Sequence, residues 1–495
     1  MEHVDVLIAG AGLSGVGTAC RLREQCPDKS LAILEARDAT GGTWDLFRYP
    51  GIRSDSDMFT LGYPFRPWEE AEAIADGPAI RRYIRDTARE YGVERHIRLN
   101  RRIVAARWSS ADARWSVDVE RTDTGEREQL TCGFLVGCTG YYRYDEGYTP
   151  ELPGIEDFHG PVIHPQHWPE DLDYDGKRVI VVGSGATAVT LVPAMAPRAA
   201  HVTMLQRSPS YVVSLPGRDP LATALNKVLP PRVAFPIVRW KNILLALLFF
   251  QLSRRAPRLA MAMIRKGVEH RVPPGFAIDT HFSPRYQPWD QRVCLVPDGD
   301  LFAAIRSGRA SIATGRIDRF TARGIRLESG EELRADVIIT ATGLNLLMLG
   351  GIELEVDGEP VDPADHFLYK GAMLTGVPNL AVALGYTNAS WTLKADLTAR
   401  YVCRLLNHMT AHGYVECRAR PPAPGASSDP AIDLQAGYVL RSIDRLPKQG
   451  PSWPWRLHQN YPLDLRLLAH GRVDDGVLAL SRPVEAEAPA APLAA

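Results

Sequence analysis

The chain has 495 residues, 45% of them hydrophobic and 23% charged, with a formal net charge of −1. That length permits two or three domains with ordinary cores, and that charge balance excludes a broadly basic nucleic-acid binder. Seven cysteines (Cys20, Cys26, Cys132, Cys138, Cys294, Cys403 and Cys417) are scattered without CxxC spacing, so neither a disulfide framework nor a structural zinc cluster is expected.

The N-terminus enters an apolar strand at once, VDVLIAG, with no basic leader, and the expected compartment is the reducing cytoplasm. Residues 4–10 predict that strand; the turn GAGLSG (10–15), a helix to about Gln25 and a second strand, LAILEA (31–36), follow it. Gly10 and Gly12 allow a tight turn and close approach of a pyrophosphate, Gly15 lets helix and strand pack, and the helix N-terminus faces the anion. Glu35 closes the unit. A carboxylate there accepts hydrogen bonds from ribose hydroxyls and repels a 2′-phosphate, which suits FAD or NAD. A further apolar strand, FLVGCTGYY (134–142), ends in a Thr-Gly pair.

Residues 158–169 read FHGPVIHPQHWP. His164 and His167 are three apart, a spacing that suits a metal on a helix, but Pro161, Pro165 and Pro169 forbid a regular helix there. No cysteine or acidic cluster with ligand spacing lies nearby, so no metal is expected. The stretch reads instead as a stiff connection. KRVIVVGSGATAVTLVPAM (177–195) and HVTMLQR (201–207) then repeat the strand–turn–helix–strand grammar of the N-terminus. Gly183, Gly185 and Ala188 take the glycine positions, within the turn that Ser184, Ala186, Thr187 and Val189 complete. Arg207, followed by Ser208, stands where the first unit has Glu35. A guanidinium there binds a 2′-phosphate and selects NADP over NAD by roughly ten- to hundredfold.

Between Lys227 and Arg271 lie ten basic residues against one acid, Glu269, around the apolar run ILLALLFF (243–250). The run is too short to span a bilayer. Its length favours a buried helix; the competing reading is peripheral contact of residues 227–271 with anionic lipid at the inner face of the membrane. Farther on, DVIITATGLN (336–345) predicts another strand ending in Thr-Gly, and residues 392–409 a helix buried along Leu393, Leu397, Tyr401 and Leu405. From about Pro483 the Ala-, Pro- and Glu-rich tail is expected to be disordered.

The fold class is therefore α/β, with two Rossmann-like dinucleotide-binding domains, for FAD and NADP, and a helical insertion. Residues 1–145 and 336–482 are expected to form the FAD domain, 146–214 and 291–335 the NADP domain, and 215–290 the mainly helical insertion. Two dinucleotide sites in one chain imply a flavoprotein that takes hydride from NADPH. The absence of a redox CxxC moves its electrons toward oxygen rather than a disulfide.

Two longer motifs identify a family. Phe158, Gly160, His164, Trp168 and Pro169 match the fingerprint of the type I Baeyer–Villiger monooxygenases, in the flavin-containing monooxygenase superfamily. GGTWDLFRYPGIRSD (41–55) matches a second signature through Gly42, Trp44, Tyr49, Pro50, Gly51 and Asp55. WDLFRYPGIRSDSD, HPQHWPEDLDYD, WDQRVCLVPDGDLF and GYTNASWTLKAD resemble the ethionamide-activating branch, and the likeness runs from Asp5 to about residue 480. The resemblance implies that Ser14, Glu35 and Thr43, Trp44, Asp45 and Leu46 hold FAD, with a backbone contact from Ile103. It implies that Arg53, Ser54 and Asp55 lie between flavin and nicotinamide, and that residues 183–189, Arg207 and Ser208 bind NADPH. Arg292 matches the active-site arginine, with Asp55 orienting it. Gln291 stands where many members have Lys, which places more of the 2′-phosphate selectivity on Arg207.

The implied reaction converts ketones to esters or lactones with NADPH and O2 through a C4a-peroxyflavin, with sulfoxidation and thioamide prodrug oxidation as side activities. The fingerprint, anchored by His164 and Trp168, is expected to couple NADP-domain rotation to the flavin site. Two other readings remain open: an S- or N-oxygenating flavin monooxygenase, and a flavin redox sensor.

Overall fold

Val6, Leu7 and Ile8 are all fully buried, which a strand achieves only when both faces of its sheet are covered. They belong to β1 (Glu2–Ala9), followed by α1 (Leu13–Gln25) and β2 (Leu31–Leu34) as the sequence predicts. β1 and β2 pair in parallel. The computed structural model describes residues 1–483, so nearly all of the expected disordered tail lies outside the described residues.

The first sheet is mixed. β3 (Arg101–Ser109), β4 (Arg114–Arg121) and β5 (Arg127–Gly137) form an antiparallel meander, and β5 then pairs in parallel with β1. β4 has the signature of such a strand, with Trp115, Val117 and Val119 buried and the residues between them less so. Two later segments join the sheet, Glu353–Val356 beside β3 and Leu380–Val382 beside β5, and short strands at Ile97–Arg98 and Glu359–Val361 form its edges.

After β5 the chain leaves through β6 (Tyr142–Gly147). The second sheet contains β7 (Val162–Ile163), β8 (Arg178–Val182), then after α2 (Ala186–Met195) β9 (His201–Gln206). The proline-rich stretch is thus not wholly irregular, because Val162 and Ile163 form an edge strand. β10 (Val212–Leu215) leads into the insertion, whose main helices are α3 (Pro231–Arg255) and α4 (Pro257–Glu269); β11 (Cys294–Pro297) returns in parallel with β10. β12 (Ala310–Thr314) and β13 (Val337–Thr340) finish the second sheet in the order β12-β9-β8-β13-β7, all parallel. β13 pairs with β8, so residues 337–340 sit in the second sheet rather than in the first unit, where the expected boundary at 336 put them. The chain returns through β14 (Leu344–Leu346), antiparallel to β6, and ends its long elements with α5 (Trp391–His412).

α3 differs from expectation. It is one helix of 25 residues, and its apolar run is only partly buried: Leu244, Leu245 and Leu248 are 52%, 55% and 65% exposed. The reason is that α3 already packs through Phe235, Val238 and Ile243, while Arg239 donates inward to the carbonyls of Phe59 and Gly62. Nothing among the described residues covers the opposite face.

α5 buries Leu393, Leu397, Tyr401 and Leu405 as predicted and packs on α1. Between these helices Arg21 Nε donates to Asp396 Oδ1 at 2.8 Å, with both residues buried. Removing one member of a buried pair costs about 3–5 kcal/mol, and the second partner of Arg21, Glu24, moderates this. Asp396→Ala is therefore expected to lower unfolding stability by about 2–3 kcal/mol in denaturant titration, and Asp396→Asn, which keeps an acceptor, by less.

Candidate functional site

Gly10 has φ +102°, and a Cβ placed there would stand 2.7 Å from the carbonyl oxygen of Cys138 at the end of β5. The turn can close only with glycine. α1 begins at Gly12 with no side-chain cap, so its first N–H groups remain available to an anion. Gly15 lies under the turn, where an added Cβ would stand 1.9 Å from the Gly10 oxygen. Gly42 faces the turn across the gap, 3.0 Å from Gly12 Cα by the same measure.

A cavity of about 370 Å³ opens over this turn. Gly10, Gly12, Ser14, Glu35, Thr43, Trp44 and Ile103 line it, together with Arg53, Ser54 and Asp55. Glu35 is buried; its Oε2 accepts from Ala11 N at 2.8 Å and its Oε1 from Arg37 N at 3.0 Å. Burial raises its pKa, against the pull of those two backbone donors. Each carboxylate oxygen keeps acceptor capacity toward the cavity. Ser14 Oγ accepts from Trp391 Nε1 at 2.8 Å, and Thr43 Oγ1 lies 3.0 Å from the Tyr144 hydroxyl. Ser54 Oγ is buried with no protein partner, so it has a hydrogen bond to give to whatever fills the cavity.

Asp45 and Leu46 do not line the cavity. The Asp45 carboxylate is buried among the guanidiniums of Arg37, Arg48, Arg81 and Arg85, at 2.8, 3.7, 3.2 and 3.2 Å. Burial works against its charge, but Arg37 first among the arginines holds its pKa low. Its place is to fix the Thr43–Leu46 turn. Leu46 packs toward the core of the second sheet.

The second glycine turn follows the same construction. Gly183 has φ +144°, and its Cβ would stand 2.3 Å from the carbonyl oxygen of Ala341, just past β13. Gly185 starts α2 without a side-chain cap and with open space beside it. Ala186 and Thr187 line the 370 Å³ cavity, whereas Ala188 and Val189 are buried beneath. Ser184 Oγ lies 2.8 Å from Ser210 Oγ. Arg207 and Ser208 are exposed directly after β9, and among the described residues no carboxylate pairs with Arg207.

Arg292 lies where that cavity meets a second one. Its Nη1 donates to Asp55 Oδ2 at 3.1 Å and its Nη2 to the Tyr141 hydroxyl at 3.2 Å, while Nε is buried without a partner. Its pKa is pushed up, first by Tyr141; burial opposes this, and Tyr438 and Asp55 add to it. The guanidinium is a fixed positive charge. The second cavity, about 620 Å³, shares Asp55, Arg292, Leu295, Tyr386, Ala389 and Ser390 with the first and is otherwise walled largely by the insertion, including Ile243, Ala246 and Phe249 of α3. Sequence reading did not find Tyr141 or Tyr386. The signal for Tyr141 was present, since it follows the Thr-Gly pair at a strand end.

The fingerprint residues lie outside both cavities. Phe158 is buried against the second sheet, Trp168 packs on that sheet's other core, and Gly160 passes so close to Asp336 that a Cβ would meet its oxygen at 2.4 Å. The His164 ring covers Gly147 in β6. His164 Nδ1 accepts from Gln166 N at 3.2 Å, which leaves Nε2 to donate to the Gly343 oxygen at 3.1 Å. Gln166 Nε2 donates to the carbonyls of Arg143 and Tyr144. The stretch therefore clasps β6 and the start of β14, the two strands that cross between the sheets. Burial lowers the His164 pKa, so the ring is neutral near pH 7. Among the described residues no cluster of His, Cys, Asp or Glu could hold a metal.

Residues 62–227 match the family model of flavin-binding monooxygenase-like proteins, and residues 8–76 that of an NAD(P)-binding Rossmann-like domain. The chain is 54% identical over 484 residues to the FAD-containing monooxygenase EthA of Mycobacterium tuberculosis, covering 97% of this chain and 99% of that one. The EthA of Mycolicibacterium smegmatis is 53% identical over 475 residues, 96% of each chain. The chain belongs to the FAD-containing monooxygenases. Its fold is also that of an oxidised steroid monooxygenase bound to NADP, with a TM-score of 0.75 at 22% identity over 97% of this chain and 99% of that one.

In this monooxygenase the two cradles, the Arg292 junction and the His164 clasp occupy separate places. His164→Ala is expected to leave bound flavin at wild-type stoichiometry by absorbance and to slow turnover roughly three- to tenfold, the value of one or two hydrogen bonds. Loss of flavin would show that the clasp only holds the first cradle together.

Proposed function

We propose that this monooxygenase takes hydride from NADPH and inserts one atom of O2 beside the carbonyl of a ketone, forming an ester or lactone. The observation that carries the reading is Arg292, a fixed cation held by Asp55 and Tyr141 where the dinucleotide cavity meets the second cavity.

The residues present fit FAD in the first cradle. The open N-terminus of α1 and the Gly10–Gly12 turn suit its pyrophosphate, Glu35 a ribose, the Ile103 backbone its adenine, and the unpartnered Ser54 Oγ its polar edge. Bound there, FAD supplies hydride acceptance and oxygen activation. The second cradle suits NADPH, with the turn Gly183–Thr187 at the pyrophosphate, Ala188 and Val189 supporting it from beneath, and Arg207 and Ser208 at the 2′-phosphate. Arg53, tied across the two units to Asp300, steadies the space between the cofactors. The clasp at Phe158, Gly160, His164 and Trp168 couples movement of the second unit to the first.

Arg292 favours negative charge on oxygen reacting at the junction. At about 4 Å and an effective dielectric near 20 that attraction is on the order of 4 kcal/mol, or nearly three pK units. This selects a nucleophilic oxygen and hence attack on a carbonyl. Asp55 works against it: a half-exposed carboxylate on the same guanidinium offsets part of the charge. That supports a second reading in which thioethers and thioamides are oxidised by the same site.

Arg292→Ala is expected to leave NADPH-dependent flavin reduction intact and to abolish ester formation, with sulfide oxidation surviving; ester formation by the variant would remove Arg292 from the reaction. Arg207→Ala is expected to raise the KM for NADPH roughly ten- to hundredfold and to leave that for NADH nearly unchanged. Equal losses with both nucleotides would assign the 2′-phosphate elsewhere.

A further inference from the structure

α3 presents a stripe that the catalytic reading does not use. Val233, Ile237, Trp240, Leu244 and Leu248 recur at three- to four-residue spacing along one face and are 39–65% exposed. From Val233 to Leu248 the stripe is about 22 Å long at 1.5 Å per residue. Leu259 and Met263, one turn apart on α4, are also more than half exposed. A continuous apolar face of this kind on a water-soluble surface marks a contact.

Charge identifies the partner. Lys227, Arg232, Arg255, Arg258 and Lys266 are exposed around the stripe, and among the described residues none pairs with a carboxylate. The single acid between 227 and 271, Glu269, is taken by Arg265. A second copy docking by two-fold symmetry would set these cations against each other. A negatively charged lipid surface accepts both the apolar stripe and its basic border.

We propose that α3 and the first turns of α4 dock on an anionic membrane surface, lying in the interface rather than crossing it. α3 alone among the described helices is long and apolar enough to span a bilayer, but its other face is fastened to the protein. Arg239 is buried and donates to the Phe59 and Gly62 carbonyls, Lys241 pairs with Asp219, and Asn242 donates to Asp57. Leaving the body would strand these groups in hydrocarbon. Docked as it stands, α3 is the one layer, about 10 Å thick, between the lipid and the 620 Å³ cavity that Ala246 and Phe249 line. Resting on the proposed role of that cavity, docking would give an apolar substrate a short path from bilayer to Arg292.

The test is flotation of the flavin-loaded protein with vesicles of phosphatidylglycerol and phosphatidylcholine, and of phosphatidylcholine alone. Wild type is expected to float with the anionic vesicles at low salt, at least roughly tenfold better than with the neutral ones, and to be released as salt rises. Leu244→Glu with Leu248→Glu, and separately Arg255→Glu with Arg258→Glu, should lose flotation while oxidising NADPH at the wild-type rate with a water-soluble ketone. None of these four residues lines either of the two cavities described. Wild type that ignores anionic vesicles, or variants that float as well as wild type, would overturn the proposal. So would a wild-type dimer, seen by light scattering, that the leucine substitutions dissolve. Ketone turnover absent from the wild type would instead count against the catalytic reading and leave docking standing.

Discussion

Two glycines held at positive φ, Gly10 and Gly183, each lie against the carbonyl of a neighbouring strand end, Cys138 and Ala341. Everything else in the molecule is arranged around these two close approaches. Each brings an uncapped helix N-terminus to the carboxyl end of parallel strands, where open α/β sheets bind ligands. Each also explains a Thr-Gly pair in the sequence, because the strand end that the glycine touches must turn away sharply to leave the cavity open.

The two edges face one cavity because the units are crossed twice, by β6 and β14, and the His164 clasp closes over both strands. Arg292 enters from the second unit beside β11 and Asp55 from the first, so the pair exists only when the units are in register. The Asp45 cluster is the static counterpart. Four guanidiniums around one buried carboxylate fix the turn that carries Thr43 and Trp44.

Much of this is written locally in the chain. The strand–turn–helix units, the buried stripe of α5, and the opposed choices of Glu35 and Arg207 are matters of spacing and of one residue type at one position. Less legible were the features set by distant segments. The β3–β5 meander gives no glycine signature, and β13 reads like any apolar strand until its pairing with β8 is known. α3 misled for a physical reason: an apolar run predicts burial only if something lies over it, and the sequence does not say that Phe235, Val238 and Arg239 already occupy the inner face. The cavity behind α3 was hidden because segments far apart in sequence make it, and although the strand end before Tyr141 could be read, its contact with Arg292, 151 residues away, could not.

The central claim is that a fixed cation at the meeting of two cavities directs oxygen to a carbonyl. The most direct measurement reduces the flavin-loaded protein anaerobically with NADPH, mixes it with isotopically labelled oxygen in the presence of a ketone, and identifies the product by mass spectrometry. The account predicts an ester or lactone carrying one labelled oxygen atom. Recovery of unchanged ketone, under conditions in which a sulfide gives labelled sulfoxide, would contradict it.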